Sequence, residues 1–361
     1  MRLRFVLSWV LAPLLVISAA LAGGYWVSGR VGDTRSSLTS ALDSVPADTL
    51  VAGFTDWANI RERLDVGDAS TAAGRATLND DAALRDLSTR SVIGRVVEEM
   101  HTLFGWSVAD LEWEVFGQAA DGAAMVGRFD SSVSLSDVRG ALRKLGYTQD
   151  GRVWSSSKST PTTGDLSATL ASIAIVPGKR LVVAADRPSY VMTVLHTIDR
   201  DEPSLLSVRP ASEVAAALAG SDAALIQSGP FACSGATLEK LSADVQAQAD
   251  AAISRAGDLA DFTFAGRGLT DVSTDNQQLK FAMGFDSPSQ AATQLTTRKA
   301  LARGAFIGGS GRVEDSLQLT GSRVGGSTAT LQFDHDPMSA TYMVGLGPVL
   351  FASCPSLGRV R

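Results

Sequence analysis

Leu111-Glu-Trp-Glu-Val-Phe116 and Ala123-Ala-Met-Val-Gly-Arg-Phe129, with Asp121-Gly122 between them, decide how the rest of the chain is read. The first run alternates apolar and charged residues with the period of a strand, and the second makes a partner for it. An Asp-Gly pair between two such runs signals a hairpin, because a tight turn that matches strand twist needs positive φ at its centre. Next comes Ser134 as a cap, then Leu135, Val138, Leu142 and Leu145 at helical spacing, then Gly146 as a stop. Strand, strand, capped helix is the unit from which the architecture is inferred.

Upstream, Val45-Pro46-Ala47-Asp48-Thr49 turns into a first strand over 50–54. Residues 65–83 are rich in Gly, Ala, Asp and Ser and read as a loop. From Leu84 the pattern turns helical, with Ile93, Val96, Val97, Met100, Leu103 and Phe104 recurring at three and four. Downstream, 152–154, 172–176 and 180–185 read as strands, the last two turned by Pro177-Gly178. Asp186 and Pro188 open a helix with Val191, Val194, Leu195 and Ile198 on one side.

The order then repeats. A short helix over 212–219 precedes a strand at 223–227, and 237–255 reads as a helix with Leu238, Leu241, Val245, Ala249 and Ile253 in register. Strands follow at 261–267 and 279–285. Ser287-Pro288-Ser289-Gln290 combines a capping box with proline at the first helical position. Its helix runs to Ala302, and strands at 313–320 and 328–333 close around Gly325-Gly326. Phe129-Asp130-Ser131 and Phe285-Asp286-Ser287 each end a strand and lead into a serine-capped helix. The expected fold class is α+β, two similar halves (45–200 and 201–361) of mainly antiparallel sheet with helices on one face, from an internal duplication. The boundary falls near 199–210, which carries Pro203 and Pro210.

Ahead of this body, residues 5–27 form an uncharged run of 23 residues, eleven of them Leu, Ile, Val or Phe. A bilayer core needs roughly 20 apolar residues as a helix, and such a composition favours insertion by about a few kcal/mol. Arg2 and Arg4 make 1–4 a positive, cytoplasmic stub, so the positive-inside rule exports the rest. Tyr25 and Trp26 suit the interfacial aromatic belt, and 28–44 read as a small, polar spacer. The rival is a cleaved signal peptide, since Ala20-Leu21-Ala22 has the small-x-small form of a cleavage site. The apolar run continues past that cut, which favours a retained transmembrane signal-anchor.

With the Val45-Pro46-Ala47-Asp48-Thr49 motif placed after an anchor, the opening resembles that of exported, membrane-anchored actinobacterial proteins of unknown function. The resemblance implies an exported body and no catalytic residues to carry over.

Composition narrows the classes further. The chain has 361 residues, 45% hydrophobic, enough for a substantial core. A net charge of −6 argues against nucleic acid as a partner. Cys233 and Cys354, the two cysteines, both follow the export signal and are expected to form a disulfide, with two buried thiols as the alternative.

Chemical motifs are sought and not found. His101 and His196 flank apolar helix stripes and read as structural. His335 sits in Asp334-His335-Asp336, where an extended backbone puts both carboxylates opposite the ring, so the triplet cannot close a metal site alone. Gly308-Gly309-Ser310-Gly311 lacks the last glycine of a nucleophile elbow. Ser155-Ser-Ser-Lys158 lies in a Ser/Thr/Pro-rich loop, and no phosphate or dinucleotide loop is present. No catalytic, cofactor or metal residue is assigned, and no cofactor is expected. Trp57, Trp106, Trp113 and Trp154 read as core, with a groove for an apolar ligand as the alternative. The expected role is binding or scaffolding in the cell envelope, with an envelope protein or a lipid as partner. The second reading is carriage of a lipid between sheet and helices, and the third a hydrolase of envelope polymers.

Overall fold

β1 (Val51–Thr55), β2 (Leu111–Gln118) and β3 (Ala123–Phe129) pair antiparallel in chain order, Val115 standing opposite Val126. This is a computed structural model describing residues 36–157, 168–234, 242–273, 275–307, 310–337, 343 and 349–355. The helices of the first half are α1 (Ser37–Leu42), α2 (Trp57–Arg63), α3 (Ala72–Leu84), α4 (Val97–Phe104), α5 (Leu135–Lys144) and α6 (Pro188–Asp199). Its further strands are β4 (Thr148–Asp150), β5 (Val153–Ser155), β6 (Ser172–Val176) and β7 (Leu181–Ala185). The second half holds α7 (Arg209–Ala217), β8 (Ala223–Ser228), α8 (Pro230–Ser234), α9 (Ala243–Ala256), β9 (Phe264–Ser273), β10 (Asn276–Gly284), α10 (Pro288–Leu301), β11 (Gln318–Gly325) and β12 (Thr328–His335).

All twelve strands belong to one sheet, in the order β11-β12-β10-β9-β8-β1-β2-β3-β7-β6-β5-β4. The fold is α+β with a large antiparallel sheet, but the halves do not each own a separate one. They meet where β1 pairs β8, from Val51 opposite Gln227 to Thr55 opposite Ala223. Outward from this seam the first half runs β1-β2-β3-β7-β6 and the second β8-β9-β10-β12-β11. The strand order therefore repeats, and the β5–β4 hairpin extends the first half alone.

Helices cover both faces, not one. Alternate residues of β3 show it: Met125 and Phe129 join a core with α2, α3, α4, α5, α9 and α10, while Ala124 and Val126 join a second with α1, α6 and α7. The physical sign is in β6 and β7, every residue of which is buried. A strand without a polar alternate is covered on both sides. In β9, glycine lets α7 come close: a Cβ at Gly266 would lie 2.6 Å from Leu218 and Val214, and one at Gly268 would lie 2.3 Å from Ser221.

Several expected boundaries move. Part of the spacer over 28–44 belongs to the body, because α1 buries Leu38, Ala41 and Leu42 in the second core. Each leucine buried there contributes about 1.5–3 kcal/mol. The expected loop over 65–83 contains α3, capped by Thr71 on the Gly74 amide and seated by Leu78 and Ala82. Its Arg75 is clasped by Glu98 of α4 at 2.7 Å, a contact across the chain that composition does not show. Between Arg85 and Phe104 regular helix is limited to α4, and the strand expected from 313 begins at Gln318 after a 3-10 turn over Val313–Asp315. The long helix over 237–255 is described only from Ala243 onward. The membrane span over 5–27 lies outside the described residues, among which no helix is long and apolar enough to cross a membrane.

Candidate functional site

Glu114 opens the account of the polar groups, because sequence alternation puts it on a wet face and the fold does not. It leaves β2 on the side covered by α2, and its residue is 1% exposed. Its carboxylate accepts from Ser91 Oγ at 2.6 Å, the Val92 amide at 2.7 Å and Trp57 Nε1 at 3.3 Å. Burial pushes the carboxyl above its ordinary range, and these donors oppose the shift. Beside it, arginines at the ends of α2 and α3 reach across the seam. Arg63 Nε donates to Asp222 at 2.9 Å, and Arg85 pairs with Asp271. Asp222 also accepts the Asp271 amide at 2.7 Å, and burial pushes its carboxyl up to about 6. Each of these carboxylates meets donors of the body itself. The pattern is a clamp between half-sheets rather than an acid–base pair facing a cleft.

A second clamp holds the C-terminal segment. Cys233 of α8 and Cys354 form the expected disulfide, with Cα atoms 5.6 Å apart across a separation of 121 residues. Arg298 lies fully buried on α10. Its guanidinium donates to the carbonyls of Phe351 at 2.8 Å, Ser353 at 3.0 Å and Ala260 at 2.8 Å. It stands 5.1 Å from the ring centre of Phe262 and 5.5 Å from that of Phe285. Burial lowers its pKa to about 9. On the same helix Gln294 bonds the Ala260 amide and the Asp258 carbonyl. The buried stripe of α10 thus reads as polar in sequence and becomes core because the Gln294 amide and the terminal nitrogens of Arg298 meet backbone. Neither Arg298 nor Glu114 carries a signal in a single sequence.

The third place is a groove. The last turn of α9 (Ala252, Arg255, Ala256) and the end of α10 with its exit (Ala300, Leu301, Arg303, Gly304) face each other. With Ala305, Ile307 and Leu350 they enclose about 250 Å³. The apolar floor runs on into a narrower slot that adds Phe306, Val313, Val349 and Phe351. Arg255 and Arg303 are exposed at the rim and make no ion pair or side-chain hydrogen bond among the described residues. Glu314, whose carboxylate accepts the Gly304 amide at 3.0 Å, is itself paired with Arg312 at 3.2 Å.

The residues weighed from sequence fall elsewhere. His101 is half-buried on α4, and His196 is exposed at the end of α6 with Nδ1 3.3 Å from Asp201, so it does not pack. Asp334, His335 and Asp336 border an open acidic cleft of about 380 Å³ with Asp275, Glu314 and Asp315. The ring of His335 is turned inward, its Nδ1 3.0 Å from the Asp336 carbonyl, and burial lowers its pKa. Among the described residues, three possible ligand atoms converge within 4.8 Å at Cys233, Asp261 and Cys354 alone. There the sulfurs are bonded to each other. The four weighed tryptophans are core: Trp57 0%, Trp106 1%, Trp113 3% and Trp154 3% exposed, so they line no open groove. Lys158, Gly308 and Gly309 lie outside the described residues.

The chain matches no protein-family model and no curated protein. Among solved structures, crystal form I of TP0453 is similar at 10% identity with a TM-score of 0.40, over 85% of this chain and 96% of that one. Crystal form III of TP0453 gives 10% identity and a TM-score of 0.42, over 84% of this chain and 97% of that one. A likeness of that size fixes neither a fold family nor a ligand.

Proposed function

We propose that this is a membrane-tethered, extracytoplasmic binding protein of the cell envelope, working through non-covalent contacts at the surface of a closed body. The observation that carries the reading is the Cys233–Cys354 disulfide, since such bonds persist in oxidising compartments outside the cytoplasm. The apolar run over 5–27 and its flanking Arg2 and Arg4 agree with it. Burial of the four tryptophans argues against a lipid held between sheet and helices, and favours a surface that docks an envelope protein or lipid. The clamped carboxylates Glu114, Asp222 and Asp271 argue against a hydrolase built on them. The repeated strand order supports descent of both halves from one duplicated unit.

Protease added to sealed cells tests the placement. Digestion from Thr49 onward in intact cells is expected; protection that ends only on lysis inverts the orientation and removes the reading. A crosslinking pulldown from intact membranes then identifies what the body touches.

A further inference from the structure

We propose that the groove between the ends of α9 and α10 binds a single-chain, monoanionic amphiphile, a long-chain fatty acid, with its carboxylate between Arg255 and Arg303 and its chain along the apolar floor. The inference deepens the surface-binding reading above by naming a site and a ligand class, and it rests on that reading.

The floor supplies the apolar half of the ligand's chemistry. Ala252, Ala256 and Ala300 are small and open a recess, and Leu301, Ile307 and Leu350 line it. At about 250 Å³ it falls just below the usual range for drug-sized ligands, which suits one acyl chain and not two. The adjoining slot shares Leu301, Ala305, Ile307 and Leu350 and offers about 10 Å³, so the floor of the groove itself carries the chain.

The rim supplies the charge. Arginines near helix C-termini commonly offset the helix dipole, worth about 0.3–1 kcal/mol each at an exposed site. That role needs no recess beneath them, and here there is one. Arg255 and Arg303, without carboxylate partners among the described residues, stand over the groove where two helices end, so the rim is net positive. The nearby carboxylate of Glu314 is neutralised by Arg312. A carboxylate on a single chain matches the small apolar recess beneath this rim, and a planar guanidinium takes it in a bidentate way.

The test uses the full chain in amphipol and a diazirine analogue of palmitic acid, with crosslinks mapped by peptide mass spectrometry. Label is expected on peptides carrying 252–256 and 300–307. The R255Q/R303Q double variant, altered only at exposed side chains, is expected to keep its melting temperature and lose labelling there by about tenfold or more, the equivalent of about 1.4 kcal/mol. The matching diazirine alcohol is expected to label the groove weakly in both proteins. Equal labelling by alcohol and acid, or equal labelling of variant and parent, overturns the proposal, as does label confined to 5–27. None of these outcomes touches the protease result, so failure of the groove is separable from failure of the tethered-binder reading.

Discussion

Asp222 is the residue whose ionisation the fold resists most legibly. Its carboxyl titrates at about 6 in the folded chain, above an ordinary value of 3.8, chiefly because it is buried. A raised acid holds its proton more tightly when folded, so its contribution is fully present below the unfolded value and is lost as pH rises through about 6. By pH 7 the loss is about 3 kcal/mol at most. Asp222→Asn keeps an acceptor for the Asp271 amide and removes the titration. The expected outcome is a stability curve flatter than the parent's between about pH 4 and 6.5, read by urea unfolding at several pH values; parallel curves refute it. Arg298→Met has the opposite character. It leaves three buried carbonyls without their donor and is expected to cost about 3 kcal/mol at pH 7, seen as a lower urea midpoint. Arg298→Lys, which keeps the charge but not the fork, should fall between the two.

Among the elements, those with local start and stop signals were legible and those made by contact were not. α5 has the Ser134 cap and Gly146 at φ +86° that its sequence announces, and α10 has Ser287 on the Gln290 amide with Pro288 at its first position. α3 was not legible, because its composition is that of a loop and its seat comes from Leu78, Ala82 and the Arg75–Glu98 pair. The site fared worse. The groove depends on two helix ends arriving side by side, and no spacing within either helix encodes that. The disulfide was legible from the compartment implied by the N-terminus. In the chain-entropy model a closed loop of this length contributes about 4–5 kcal/mol. Replacing Cys233 and Cys354 together by serine should lower the melting temperature to that of the parent under reductant, and scanning calorimetry with and without reductant checks it.

For the molecule as a whole, alternation and capping point to an α+β body of mainly antiparallel strands but not to one continuous sheet. Nothing in 50–54 or 223–227 says that these strands will be neighbours, since pairing partners 168 to 176 residues apart leave no local mark. That continuity makes each half incomplete: without the second, β1 shows a bare edge, and Arg63 and Arg85 lose Asp222 and Asp271. A chain ending at Val208 is expected to self-associate, and co-expression with 209–361 to restore a monodisperse species, as light scattering would show. The place of β1 has a mechanical consequence. The sequence leads from the apolar run over 5–27 through α1 into the strand at the middle of the sheet, laced on both sides by β2 and β8. On the tethered reading proposed above, a pull at the N-terminus is therefore carried past α1 into a strand bonded on both flanks, while the rim strands β4 and β11 lie farthest from the load.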